Sequence, residues 1–340
     1  MKKIRVQDAV GMKLCHDITK VIPGEFKGRA FSRDHIITTE DIEELLKIGK
    51  EHIFVWEENA GEIHEDEAAV RIAKAVEGVN IVHTEPQEGK TILQATTRGL
   101  FKINSPLLRE INSIESVTVT CRPNNYTVKD GDKLAAARII PLVIKEEKIK
   151  QLEELCRARG PVFEVKPFKR LKVGIMVTGS EVYKGRVPDK FGPVINKKLK
   201  PYAPEILGQV YCPDDTSIMN ETIASFLEKD ADLIILTGGM SVDPDDLTPG
   251  AIKNCGAKVV TYGAPIQPGN MFMLAYHKKT ALVGVPGAAM YYKTTVLDVV
   301  LPRIFAEDIM TKDDFIEMGE GGLCLGCEVC KYPICYFGRS

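Results

Sequence analysis

The residues best suited to chemistry fall into three glycine-containing loops and one cysteine run. The loops are Thr178-Gly179-Ser180-Glu181, the stretch Thr237-Gly238-Gly239-Met240-Ser241-Val242 leading into Asp243-Pro244-Asp245-Asp246, and Val285-Pro286-Gly287. Glycine lets a ligand approach the backbone closely, and free N–H groups at the helix starts that follow favour phosphate. The carboxylates Glu181, Asp243, Asp245 and Asp246 would repel that phosphate unless a hard cation such as Mg²⁺ lay between them. A metal-bridged phosphoanhydride satisfies both groups of residues. The cysteine run is Cys324-x-x-Cys327-x-x-Cys330-x-x-x-x-Cys335, a spacing that suits an iron–sulfur cluster or a tetrahedral zinc.

The elements that must position these loops are legible as apolar runs. From Leu171 onward come LKVGIMV, EILGQVY, DLIIL, AKVVTY, MFMLAY and TALVGV, separated by glycine-containing loops and helical patterns. That alternation predicts an α/β fold with an open, largely parallel sheet, whose ligands bind beyond the carboxyl ends of the strands. The three loops stand at such ends. Any one of them reads equally well as an ordinary βα turn, with Asp245 or Asp246 capping the helix that starts near Leu247. Three in one sheet favour a ligand site.

The N-terminal half reads as α+β. Helices are expected over Thr39–Ile48, stopped by Gly49, and over Glu65–Val76, whose Ala68, Ala69, Ile72, Ala73 and Val76 share a face. Turns are expected around Pro23-Gly24, a strand over His52–Trp56, a short helix near Ser105–Ile111 and a connecting helix over Lys145–Arg159. The resulting division is an α+β region over 1–165, an α/β domain over 166–310 and a cysteine-rich tail over 311–340.

The stretch from about Leu171 to Phe305 resembles the molybdopterin-binding domain shared by molybdopterin molybdotransferases and molybdopterin adenylyltransferases, with loop order and spacing matching. Thr178-Gly179-Ser180-Glu181 resembles the family's Thr-Gly-Asp-Glu loop, and Gly185 to Asp189 its Gly-x-x-x-Asp segment. Asp214 or Asp215 corresponds to the acid after the second strand. Thr237–Val242 resembles the Gly-Gly-x-Ser-Val loop, Asp246 falls on the essential aspartate, and Pro268-Gly269 and Pro286-Gly287 match two Pro-Gly turns. The resemblance implies catalysis by Asp246, Glu181, Asp189 and Asp215. Molybdopterin would be held by Thr178, Gly179, Ser180, Gly238, Gly239, Ser241, Pro268, Gly269, Pro286 and Gly287, with Mg²⁺ on Asp246 and Glu181.

Departures from the pattern are Asp243 in place of glycine, Lys190-Phe191 in place of Ser-Asn, and Ala288-Ala289 in place of Asn-Pro. The molybdotransferases' Asp-Gly-Tyr-Ala segment and C-terminal β-barrel find no counterpart here, although Gly11 to Asp17 resembles their opening Gly-x-x-Leu-Ala-x-Asp. Gly239 to Thr248 is also similar to a loop of the competence-damage-inducible family, which acts on nucleotide pyrophosphates. Three readings follow: a molybdotransferase-like enzyme acting on adenylylated molybdopterin and molybdate, a non-catalytic molybdopterin carrier serving a molybdenum enzyme, or a nucleotide pyrophosphatase. The resemblance also implies a homo-oligomer.

The cysteine run resembles the ferredoxin arrangement, with its fourth cysteine one residue later and Pro333 ahead of it instead of after it. Such a Gly- and Cys-rich segment buries little apolar area, so metal on Cys324, Cys327, Cys330 and Cys335 would supply what packing cannot. The alternatives are a disordered tail with labile thiols or a disulfide hairpin. The remaining cysteines, Cys15, Cys121, Cys156, Cys212 and Cys255, are scattered and read as reduced and buried. The six histidines show no ligand spacing and read as solvated or hydrogen-bonded.

With 45 basic against 47 acidic residues, the net charge of -2 offers no field for nucleic acid or an anionic membrane. Arg5, Gln7 and Asp8 interrupt the first apolar stretch before it reaches signal-peptide length, and no later run approaches a membrane span. A cytoplasmic protein is expected.

Overall fold

The computed structural model describes residues 2–22, 24–55, 60–244 and 246–339. The expected turn at Pro23, the strand end at Trp56 and the acid Asp245 lie outside the described residues. The chain divides into two compact units. One comprises Met1–Gln94, Asn104–Cys121 and Lys133–Phe163, and the other Ala95–Ile103, Arg122–Asp132 and Glu164–Ser340.

In the first unit, the amphipathic run over Glu65–Val76 forms a helix that buries Ala68, Ala69, Ile72, Ala73 and Val76. His64 caps it, its Nδ1 accepting from the Asp66 amide at 3.2 Å, while its Nε2 reaches the Cys15 carbonyl at 2.6 Å. Burial, reinforced by the Arg33 guanidinium, holds His64 below its ordinary pKa. The helix packs on an antiparallel sheet in which Lys133–Ile139 lies between Lys90–Ala95 and Val117–Cys121. Helix Glu146–Arg159 packs beside it.

A smaller core gathers Val6, Leu14, Ile18, Phe31, Leu45 and Ile53, beneath the antiparallel pair Lys2–Arg5 and His52–Val55. The helix expected from Thr39 begins at Asp41 instead. Asp41 Oδ2 accepts from the Thr38 amide at 2.8 Å and contacts His35 Nε2 at 2.7 Å. Those bonds hold the preceding residues in a turn.

The second unit is built on a six-stranded sheet. Its spatial order is Glu205–Cys212, Lys172–Thr178, Leu233–Thr237, Thr280–Val285, Met273–His277 and Lys258–Tyr262. The first four are mutually parallel. Met273–His277 runs antiparallel to both of its neighbours, because Lys278 (φ 55°) and Lys279 join it to the next strand by a link too short for a crossover.

Both faces of the central strands are covered, which is why Lys172–Thr178, Leu233–Thr237 and Thr280–Val285 read as continuous apolar runs, whereas Ile206, Val210 and Tyr211 of the edge strand are exposed. Val173, Ile175, Val177, Leu233, Ile235 and Val283 face a core shared with the helices Phe191–Leu199 and Val296–Phe305. Met176, Ile234, Leu236 and Leu282 face the other core, with Met219, Ile223 and Phe226 of helix Thr216–Glu228.

A three-stranded sheet of Tyr126–Val128, Gly99–Ile103 and Phe163–Pro167 completes this unit. Asp308 ties it to the last long helix, accepting from Lys102 Nζ and Lys166 Nζ, each at 2.9 Å, and from Arg303 Nε at 2.7 Å. Burial would raise the Asp308 pKa, but Arg303, Lys102 and Lys166 outweigh it and hold the carboxyl at about 2. The segment after helix Lys312–Glu317 is not detached. Phe315, Met318 and Phe337 lie in the same core as Val173 and Val296.

Candidate functional site

Strand register fixes where the loops emerge. Thr178 pairs with Cys212, Val177 with Thr237, Thr237 with Val285, Gly284 with Met273, and Met273 with Tyr262. These residues therefore line one edge, the carboxyl end of the parallel strands, and the three glycine loops leave from it together with Pro268-Gly269. A cavity of about 830 Å³ opens at the opposite end, against Leu171, Asp232, Lys258 and Ala281, away from the loops.

The first and third strand ends are bonded directly. Buried Thr178 donates its hydroxyl to the Thr237 carbonyl at 2.8 Å and lies 3.4 Å from Thr248 Oγ1, which donates to the Gly238 carbonyl at 2.8 Å. Glycine is required here by geometry. Gly238 has a φ of 85°, and a Cβ on it would stand 2.7 Å from the Thr178 carbonyl oxygen. Met240 anchors the loop by packing over the strand: a Cβ on Gly284 would meet its sulfur at 2.5 Å. Thr237 Oγ1 is wholly buried and has no hydrogen-bond partner among the described residues.

The acids occupy distinct positions. Glu181 is exposed, its carboxylate folded over Gly179, where a Cβ would meet Oε1 at 2.9 Å. Asp189 uses Oδ1 to accept from the amides of Phe191 and Gly192, at 2.8 and 2.9 Å, and Oδ2 to accept from Gln209 Nε2 at 2.8 Å. It thereby fastens a helix start to the edge strand. Asp215 caps helix Thr216–Glu228, accepting from the amides of Ser217 and Ile218. Asp214 instead exchanges bonds with the first loop, accepting from the Ser180 amide at 2.9 Å while its own amide donates to Ser180 Oγ at 3.2 Å.

Asp246 is half-buried, its amide donating to the Asp243 carbonyl at 3.0 Å. It lies close enough to Tyr262 that its charge, after burial, raises the phenol's pKa. The Tyr262 hydroxyl donates to the carbonyls of Met240 and Ser241, at 3.1 and 3.2 Å. Sequence reasoning passed over Tyr262, whose only signal was its place as the last residue of an apolar run. Among the described residues, no three His, Cys, Asp or Glu side chains are arranged to hold a metal ion.

The helices expected to offer N-terminal charge to a phosphate are short, Thr248–Asn254 after the second loop and Ala288–Tyr291 after the third. An aligned macrodipole is therefore small at both. Gly287 differs from Gly238. Its φ is −51°, and a Cβ there would meet nothing nearer than Met290 Cε at 4.0 Å. Packing within the chain does not require glycine at 287. Gly269, by contrast, has φ 105° and lies against Val296.

The second unit is thus an α/β domain with an open, mostly parallel sheet and with glycine loops and acids gathered at its carboxyl edge. Residues 174–306 match the family described as "Probable molybdopterin binding domain". Residues 3–57 match a second family, a domain of unknown function (DUF8806).

A molybdopterin molybdenumtransferase of Synechococcus elongatus is 21% identical over 210 residues, covering 59% of this chain and 51% of the relative. A CinA-like protein of Mycobacterium marinum is 33% identical over 90 residues, covering 26% and 21% respectively. The chain thus spans about half of the first relative and about a fifth of the second.

Among solved structures, the molybdopterin biosynthesis MoeA protein of Pyrococcus horikosii aligns over 72% of this chain and 80% of its own, at 15% identity and a TM-score of 0.34. The MoaB enzyme of Thermus theromophilus aligns over 42% and 98%, at 16% identity and a TM-score of 0.33. No helix among the described residues is long and apolar enough to cross a membrane.

Proposed function

We propose that this chain acts on adenylylated molybdopterin as a molybdotransferase-like enzyme, binding the pterin at the carboxyl edge of the sheet. The observation that carries this reading is the meeting of Thr178, Gly238, Gly269 and Gly287 loops at one edge of the domain matched to molybdopterin binding. Gly287 adds support, since glycine where packing leaves open space is what a closely approaching ligand would need. The orphaned hydroxyl of Thr237 is a further polar group at the head of the second loop.

Asp246 and Glu181 would hold Mg²⁺, which when bound polarises the phosphoanhydride and neutralises its developing charge. The backbone amides of Gly239, Ser241 and Gly287 would orient the phosphates. Thr178, Gly179 and Ser180, with the Gly179 and Ser180 amides already bonded to Cys212 and Asp214, and Pro268-Gly269 would be adjoining walls. Asp189 and Asp215 serve this site as positioning residues, since each holds the start of a helix at the rim. Molybdate is the co-substrate in this reading. A homo-oligomer, a client molybdenum enzyme and a cytoplasmic setting belong to it as well.

The test is anaerobic incubation of the purified chain with adenylylated molybdopterin, molybdate and Mg²⁺, following AMP release and pterin retention. Release that depends on molybdate and is lost in Asp246→Asn supports the transferase. Retention of pterin without AMP release makes the chain a carrier. The 33% identity to a CinA-like protein favours a second reading, metal-dependent hydrolysis of a nucleotide pyrophosphate. ADP-ribose left intact in the presence of Mg²⁺ would dispose of it.

A further inference from the structure

The last residues of the chain form a closed loop that the pterin site does not use. The Gly338 amide donates to the Gly321 carbonyl at 3.0 Å, so residues 321–338 leave from and return to one point. Helix and strand are absent from this described stretch. Packing fixes only part of its shape: Phe337 and Tyr332 seat one side against the domain core, whereas Leu325 and Ile334 are 74% and 78% exposed, and Leu323 and Val329 also face outward.

What the loop does enclose is sulfur. Cys324, Cys327, Cys330 and Cys335, all free thiols, line one cavity of about 280 Å³ together with Lys293 and Lys331. Two of the four are held in place. The Cys324 amide donates to the Gln267 carbonyl at 2.9 Å, and Cys330 Sγ lies 3.1 Å from Thr294 Oγ1. Cys324 and Cys335 also pack against the core of the α/β domain.

We propose that these four cysteines are a tetrathiolate site for one soft metal centre, either zinc or an iron–sulfur cluster. Thiolates separated by two residues can reach one ion from a single turn, and the bonds they form supply the free energy that exposed Leu325 and Ile334 do not. Lys293 and Lys331 in the cavity wall, opposed by the single acid Glu328, offset part of the negative charge of four thiolates on such a centre. The thiols share the cavity without already converging on a ligand set, so the incoming metal draws the loop in, with Gly326 at φ 65° as a point of backbone freedom. The opposite wall is Tyr291 to Thr294, the segment that follows Pro286-Gly287 and its short helix. Metal occupancy therefore also fixes the chain just behind the third ligand loop.

The full chain, isolated anaerobically without chelators, should contain about one zinc or about two or four irons with matching acid-labile sulfide. Iron–sulfur absorption in the visible separates the second outcome from the first. The double variant Cys327→Ser, Cys330→Ser should lose that metal. If it does not fold, Co²⁺ titrated into metal-free wild-type protein decides alone, through an intense thiolate-to-cobalt absorption and the protection of about four thiols from alkylation. The proposal is overturned if wild-type chain, offered Zn²⁺ or Co²⁺ and separately iron with sulfide, binds no more metal than a chain with all four cysteines changed to serine. Intact mass showing these cysteines paired as disulfides in protein isolated under reducing conditions overturns it too.

Discussion

Thr178 and Thr248 stand 70 positions apart in the chain, yet their hydroxyls lie 3.4 Å from one another beneath the second glycine loop. Between them they bond the Thr237 and Gly238 carbonyls. Two crossing side chains thus hold the backbone of the loop whose amides the proposed site needs. Thr178→Val keeps the shape and removes the hydroxyl, leaving the buried Thr237 carbonyl short of a donor. It should cost about 1–3 kcal/mol in chemical denaturation and weaken pterin binding in the same protein. Full stability with unchanged binding would show that the bond does not hold the loop.

Glycine does opposite jobs at positions 238 and 287. Gly238→Ala puts a Cβ 2.7 Å from the Thr178 carbonyl oxygen at positive φ, so the melting temperature should fall and binding with it. Gly287→Ala meets only open space, so stability should stay within about 0.5 kcal/mol of wild type while affinity for molybdopterin falls at least severalfold. Fluorescence titration beside thermal unfolding separates the two effects. Equal affinity in Gly287→Ala would mean that no ligand approaches there.

The acids should divide by role. Asp246→Asn is expected to abolish AMP release at unchanged melting temperature. Asp215→Ala removes a helix cap and should cost about 1 kcal/mol, whereas Asp215→Asn retains a competent cap. Turnover in Asp215→Asn should therefore remain within a few fold of wild type. A collapse comparable to Asp246→Asn would make Asp215 a direct ligand instead of a positioning residue.

Asp308 makes acid sensitivity specific. Its folded-state pKa of about 2 lies below the ordinary carboxylate value, so its contribution is present in full above the unfolded pKa and is lost as pH falls through that value toward 2. Acid unfolding followed by circular dichroism should show a loss in that window that is absent in Asp308→Asn. At neutral pH, Asp308→Asn leaves Lys102, Lys166 and Arg303 without their shared anion and should cost about 3–5 kcal/mol. A neutral-pH stability equal to wild type would contradict the network.

Much of this was written into the chain order. Six apolar runs after Leu171 named the strands to within a residue or two, most clearly in the centre of the sheet, where a strand buried along its whole length such as Leu233–Thr237 must be apolar throughout. The glycine loops were visible because backbone conformations such as that of Gly238 exclude side chains. Asp246 and the cysteine spacing were legible in the sequence too, since the chemistry proposed for them depends on residue type and separation along the chain. Tertiary structure decided what depends on distance between remote segments. It set the antiparallel run of Met273–His277, put Tyr262 under the second loop, gave Asp214 to Ser180 and Asp215 to a helix start, and closed the cysteine loop onto the same core as Val173. Each of those choices is a contact between groups far apart in the chain, and no local pattern of residues encodes such a contact until the sheet brings its ends together.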